Sequence, residues 1–459
     1  MKKSQIENST TGITPIVPES VREALFLQHA QAYYQDMQAV GNNAPFGQVF
    51  NQIDAFAFTN TRELGRKSLE LILEDQIEKA EKKKLEEDRN CETCHTKKRH
   101  RGRPGKTILS TQGEIKLKRL YWECVPCRTP EHPVDAILGL EADYTIGARR
   151  LAVFAGTSWS FGKAETYLEE FCGLKISENT IRKLCQEESP KMEAWQNNAA
   201  TSHQPFRQAK GEIEFTVDGT CVNTLEGWKE MRVGIFSMRE AGVFAMPHQW
   251  ASRHLPKPHV SLAFAGIEEK DVFRLHWGHW LNRLNITDPG VVSALADGAQ
   301  WIWDAIYLEF SGKARENLDI FHALEYLSNK GEALFGKGTA EYAWWYETMK
   351  WDLLNGGVTP LLDRVRTMAE MEQLDTRKEV LRVLENYLVF HSGRMNYRER
   401  LAAGLSIGSG QVEGACKNLI GARLKQTGAK WRRDRVDRMA KLCAILYGEQ
   451  WKDYWKTAV

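Results

Sequence analysis

Glu212-Ile-Glu-Phe-Thr-Val-Asp218-Gly219 is a short alternating run and Val291-Val-Ser-Ala-Leu-Ala-Asp297-Gly298 a mostly apolar one, each closed by an aspartate and a glycine. Runs of this length bounded by turn residues read as strands. An acid at a strand end points into the crevice where α/β sheets bind ligands. A lone Asp-Gly is equally a good turn pair, but two in one region are harder to dismiss. Met231–Met238 and His259–Ala265 read as further strands between them, with helical stretches interleaved. Residues 211–320 therefore read as an α/β region with two acids at its strand ends.

The chain has 459 residues, about three domains at roughly 150 residues each. Apolar residues make up 42% and charged residues 27%, ample for a core and incompatible with disorder. The net charge of +2 conceals strong local asymmetry. No apolar run approaches the ~20 residues of a membrane span. The opening Met1-Lys-Lys-Ser-Gln5 leads into polar sequence and predicts no signal peptide. Nine cysteines without a secretory signal disfavour a disulfide framework. The expected location is cytoplasmic.

Upstream, Leu64 to about Arg89 carries apolar residues at helical spacing and ends in mixed charge. Cys91-Glu-Thr-Cys94 and Cys124-Val-Pro-Cys127 then form two Cys-x-x-Cys knuckles. A two-residue gap lets both thiolates reach one ion, and four thiolates make a closed, structural Zn²⁺ site. The alternative is four unliganded thiols. The 29 intervening residues have room for a hairpin, Thr107–Leu109 with Glu114–Tyr121, and between His95 and Arg119 they hold nine bases against one acid. Lys97, Lys98, Arg99, Arg101 and Arg103 head the basic set. Arg101-Gly-Arg-Pro104 is either a minor-groove reader or an ordinary basic turn.

Lys163–Phe171, the turn Cys172–Ile176 and a helix from Ser177 give a helix-turn-helix layout, with Arg182 and Lys183 as groove-facing candidates. A helical, Trp-rich stretch runs from Phe321 to about Val389; its Trp344, Trp345 and Trp351, like Trp301 and Trp303 before it, are expected in the core. From Gln411 to Lys441 nine bases meet three acids. Lys417, Arg423, Lys425, Arg432 and Arg433 suit a phosphate track, and Trp431 suits stacking on a base. Glu413, in Ile407-Gly-Ser-Gly-Gln-Val-Glu413, is a third acid at the start of a helix, where it can also serve as a backbone cap.

Val217-Asp218-Gly-Thr, Gly227-Trp-Lys-Glu-Met-Arg-Val-Gly, Ala296-Asp297-Gly-Ala-Gln-Trp-Ile-Trp, Asp319-Ile-Phe-His322 and Ile407-Gly-Ser-Gly-Gln-Val-Glu413, in this order, resemble the bacterial insertion-sequence transposases of the ISKra group. These are similar to the eukaryotic Mutator-like transposases. The resemblance runs from about Cys91 to Trp455. It implies a multidomain α+β protein with a ribonuclease-H-like α/β catalytic core interrupted by a helical insertion, preceded by a zinc-knuckle module and a helix-turn-helix-like segment. The corresponding divisions are a mainly helical region 1–90, a zinc-binding four-cysteine module 91–135, the helix-turn-helix segment 140–195, core 205–320, insertion 321–400, and the Glu helix with its basic tail 401–459.

The resemblance also implies that Asp218, Asp297 and Glu413 form an Asp-Asp-Glu triad, joined by the Asp319-x-x-His322 element. His322 is then either catalytic or a packed side chain, with Asp319 a helix cap. Three carboxylates can hold two Mg²⁺ ions, with Mn²⁺ a substitute, for in-line phosphoryl displacement. The expected function is a DNA transposase acting on double-stranded element ends, without membrane association, as a homodimer or larger assembly on the bacterial nucleoid. The competing readings are a domesticated, non-cleaving DNA-binding protein and another ribonuclease-H-like nuclease such as a resolvase.

Overall fold

The structure is a computed structural model and describes residues 20–86 and 89–457. The polar opening Met1–Gln5 lies outside the described residues. Two compact units are present: Met1–Ala152 with Glu165–Ser177, and Val153–Ala164 with Glu178–Val459. Among the described residues, no helix is long and apolar enough to cross a membrane.

In the first unit α1 (Val21–Asn43) and α2 (Val49–Glu86) form a hairpin. The Ser20 hydroxyl caps α1 by accepting from Glu23 N–H at 3.1 Å. Helix α2 begins fifteen residues before the expected Leu64, because residues 49–63 lack the one-sided pattern that marks a helix. Five strands follow: β1 (Arg99–His100), β2 (Gly105–Ser110), β3 (Gly113–Lys118), β4 (Trp122–Cys124) and β5 (Thr129–Glu131). β2 and β3 are an antiparallel pair in the expected hairpin, and β1, β4 and β5 make a separate small sheet. Ile108, Ile115 and Leu117 of the hairpin pack on Ile77 of α2. Each such burial contributes about 1.5–3 kcal/mol, against about 0–1 kcal/mol for exposed ion pairs such as Arg66–Glu63. The apolar cluster therefore seats α2, and it does so through that helix's carboxy-terminal half.

Helices α3 (Ile146–Ser158), α4 (Phe161–Cys172) and α5 (Glu178–Asn198) fall where the sequence puts them. Gly173, at φ 57°, takes the left-handed position that ends α4.

The second unit is built on β6 (Glu212–Thr224), β7 (Gly227–Arg239), β8 (Val260–Gly266), α6 (Leu275–Arg283), β9 (Val292–Ala296), α7 (Gln300–Glu309) and β10 (Arg315–Leu318). The strand order is β10-β9-β6-β7-β8. β6, β7 and β8 are mutually antiparallel, whereas β9 and β10 run parallel to β6. β6 does not end at Asp218 as expected: it continues to Thr224, because its pairing with β7 extends past the end of β9. β10 was not expected, since Arg-Glu-Asn-Leu is too polar to register as a strand.

Helices α8 (Ile320–Phe335), α9 (Ala340–Gly356), α10 (Val358–Met371) and α11 (Asp375–Phe390) follow. Their Leu334, Trp345, Leu361 and Leu384 belong to the same apolar cluster as Phe215 and Phe236 of the sheet. The helical stretch thus shares one core with the sheet. Trp303 and Trp345 are buried as expected and Trp301 is half-buried, but Trp344 and Trp351 are exposed. α9 buries only one stripe, and these two rings fall off it. The chain continues through α12 (Gly410–Ala415), a π-helical turn over Cys416–Gly421 and α13 (Arg433–Tyr447).

Candidate functional site

The register of the sheet sets two acids side by side. β9 pairs with β6 only as far as Ala296 opposite Val217. Asp297 and Asp218 are therefore the first residues beyond the paired segment on two parallel neighbouring strands. The Asp218 carboxylate accepts from Gly219 N–H at 2.7 Å, and that of Asp297 from Ala299 N–H at 2.9 Å. Burial raises the Asp218 carboxyl above its ordinary range; the Gly219 N–H opposes this, and the charges of Asp297 and, more weakly, Glu413 push it higher. His322 acts in the opposite sense. Asp218, Asp297, Glu413 and His322, which come from four separate elements, thus share one electrostatic neighbourhood.

The segment before Glu413 is fastened at several points. Asp319 caps α8, accepting from Phe321 N–H at 2.7 Å and His322 N–H at 3.0 Å through one oxygen. Its other oxygen accepts from the Ser409 hydroxyl at 2.8 Å and from Ser409 N–H. Ile320 N–H donates to Ile407 C=O at 3.0 Å. Ser406 donates to Glu214 of β6, whose carboxylate also accepts from Arg239 Nε–H at 2.9 Å and pairs with the same guanidinium at 2.8 Å. A Cβ at Gly408 would meet Asp319 at 3.3 Å, so this close approach favours glycine. Gln411 accepts from Ser237 at 2.8 Å and donates to Ser261 at 3.2 Å, tying α12 to β7 and β8. With Ser409 as N-cap, Glu413 stands one position past N3, and Lys417 lies 3.5 Å from its carboxylate.

Three further side chains border the acids and carried no sequence signal. The Cys416 thiol is pushed up to about 12 by burial and by the charge of Asp218. Tyr387 of α11 and His391 just beyond it press on Gly298, where a Cβ would meet them at 3.3 and 3.6 Å. Burial, followed by the Arg394 charge, lowers His391 to about 4, so it is neutral near pH 7.

Among the described residues, the four cysteines are the only metal-ligating group of three or more with ligand atoms all within 4.8 Å of one another. Cys94 Sγ lies 3.4 Å from Cys124 Sγ, and Cys91 Sγ 4.0 Å from Cys127 Sγ. Both are far beyond the about 2.05 Å of a disulfide, and close to the about 3.8 Å edge of a tetrahedron with 2.3 Å Zn–S bonds. The Cys94 and Thr93 backbone N–H groups hold Cys91 down to about 6, favouring the ligating thiolate. These cysteines can bind a structural zinc. The three acids do not form so tight a set, although an all-carboxylate donor set suits Mg²⁺.

The structure sorts the basic candidates. Lys97, Arg99, Arg182, Lys425 and Arg432 are exposed, as are Lys183 and Lys417, which face Glu187 at 3.8 Å and Glu413 at 3.5 Å. Arg101 and Arg103 are exposed but ion-paired, to Glu123 at 2.7 Å and Glu81 at 3.1 Å. Lys98 is tucked against Glu131, which removes it as a phosphate contact. Half-buried Arg433 donates to Ile267 C=O at 3.2 Å. Arg423 is a correction: it is buried, donates to Gly156 C=O at 2.7 Å and lies over the Phe161 and Trp431 rings. Trp431 is also corrected, because its indole N–H donates to Leu424 C=O at 3.0 Å and its half-buried ring is packed in this stack. Both side chains serve packing, not a nucleic-acid surface.

Residues 47–455 match a family model described as "Uncharacterised protein family (UPF0236)". No curated protein matches the chain.

Proposed function

The chain belongs to the UPF0236 family, and we propose that it is a DNA transposase that cleaves and joins strands at element ends. The observation that carries the reading is the register that sets Asp218 and Asp297 side by side just beyond the β6–β9 pairing, with the charges of Glu413 and His322 also acting on Asp218. Acids that repel one another on a rigid sheet edge are stabilised when a divalent cation is bound. The order β10-β9-β6-β7-β8, three antiparallel strands continued by two parallel ones, supports a ribonuclease-H-like core. The ISKra group remains the family reading that its ordered motifs favour.

Asp218, Asp297 and Glu413 would hold Mg²⁺, which when bound supplies nucleophile activation and charge stabilisation in phosphodiester chemistry. His322, in the first turn of α8, is the side chain suited to holding a proton at the attacking oxygen. The link from Asp319 to Ser409 keeps the Glu413 helix in register with α8. Exposed Lys97, Arg99, Arg182, Lys183, Lys425 and Arg432 would contact phosphates of duplex DNA. The four-cysteine module and the helix-turn-helix-like pair suit recognition of element ends.

The test is incubation of the purified chain with Mg²⁺ and DNA that carries the sequences flanking its own gene. Strand breaks with free 3′-hydroxyls at inverted repeats support transposition. Binding without cleavage would indicate a domesticated DNA-binding protein, and cleavage confined to branched DNA would indicate a resolvase.

A further inference from the structure

The α1–α2 hairpin is a long helical arm with an unusual surface. No residue of α1 is fully buried. The cluster that seats α2 reaches only Ile77 and its neighbours Leu69 and Leu73, which leaves the far end of the hairpin unsupported. The hairpin is apolar along its length: Phe26, Tyr34, Phe46, Phe50 and Phe58 are between 40% and 104% exposed. Together they expose a little over three whole rings, about 700 Å² at roughly 200 Å² per aromatic side chain. Soluble monomers rarely carry an apolar patch beyond about 300–600 Å².

Between Glu23 and Arg62 the only charged side chains are Asp36 and Asp54. A surface with two acids and no base does not attract nucleic acid or an acidic membrane, which excludes both as the occupant. A nearly uncharged face meets no like-charge repulsion when apposed to itself. The summed exposed area of these rings is close to the roughly 800 Å² per partner of a standard interface. Two helical hairpins that bury such faces make a four-helix bundle.

We propose that a second copy of this chain covers the arm, so that α1 and the first half of α2 form a homodimer interface. The interface is isologous, with the same aromatic side chains contributed by each copy.

Sedimentation velocity of the full chain across the micromolar range tests this. Wild type should sediment at twice the 52.5 kDa of one chain. Phe26→Glu with Phe50→Glu, both at exposed positions, should raise the dimer dissociation constant at least a hundredfold, with helicity and zinc content unchanged. An equimolar mixture of this variant with Phe26→Lys/Phe50→Lys should recover dimer, because acids then face bases. A wild type that stays monomeric, or a glutamate variant as dimeric as wild type, overturns the proposal. So does a monomer that dimerises once residues 1–19 are deleted, which would assign the face to that segment.

Discussion

Asp319 accepts the Ser409 hydroxyl at 2.8 Å with the oxygen that is not used to cap α8. One buried carboxylate thereby joins the helix that carries His322 to the turn that launches Glu413. Asp319→Ala should remove a cap worth about 1 kcal/mol and leave buried donors unpaired at about 1–3 kcal/mol. A total loss of about 2–4 kcal/mol is expected in urea unfolding. Asp319→Asn cannot accept on both sides and should lose part of this. Were Asp319 a metal ligand instead, Asp319→Asn would weaken Mg²⁺ binding and leave the unfolding midpoint unchanged.

The raised carboxyl of Asp218 has opposite consequences for stability and activity. The fold favours the protonated form, so this stabilisation is fully present below the unfolded-state pKa and is lost as pH rises through the raised folded-state pKa. Metal-free Asp218→Asn should therefore melt higher than wild type at neutral pH, by on the order of 1 kcal/mol, and the advantage should vanish in acid. Saturating Mg²⁺ should raise the melting temperature of wild type only. Activity needs the ionised form, so its acid limb should lie above that of an ordinary carboxylate. Equal melting of the two metal-free proteins at neutral pH would refute the assignment.

Zinc should behave as a structural ion. Cys94→Ser, or a strong chelator, removes a site worth on the order of 10 kcal/mol. Order around β1, β4 and β5 should be lost while the five-stranded sheet melts as before. Hydrogen exchange resolved by segment, with metal analysis of the wild type, reads both. Absence of stoichiometric zinc, with four freely titrating thiols, would contradict it.

The sorting of basic residues gives a differential prediction for DNA. Lys97→Ala with Arg99→Ala should lower the slope of log affinity against log salt by about 1.8, at about 0.9 per phosphate contact. Arg101→Ala with Arg103→Ala should cost less, because those guanidiniums already face Glu123 and Glu81. Arg423→Ala should destabilise the protein through the lost stack on Phe161 and Trp431. Equal salt slopes for all three would show that the ion pairs do not matter.

Sequence patterns reveal what one segment does alone. β6 was legible from its alternation of polar and apolar residues, β7, β8 and β9 from their largely apolar stretches, and the four-cysteine cluster because each knuckle is local. β10 was hidden by its polar composition. Arg423 looked like a surface base because its partner Gly156 lies 267 residues away. Glu214 and Ser406, which brace the turn before α12, gave no signal for the same reason: 192 residues separate them. The exposure of Trp344 and Trp351 depends on which stripe of α9 faces the core, and an aromatic-rich helix does not mark that stripe.

The central claim is that Asp218, Asp297 and Glu413 act as one metal-binding catalytic unit on DNA. The most direct measurement is Mg²⁺-dependent cleavage of labelled element-end DNA by Asp218→Asn, Asp297→Asn, Glu413→Gln and the triple variant, alongside their DNA affinities. All four should lose cleavage to the same background, with affinity nearly unchanged, because effects within one unit do not add. Cleavage by Glu413→Gln at the wild-type rate would contradict the account, leaving Glu413 as an ion-pair partner of Lys417.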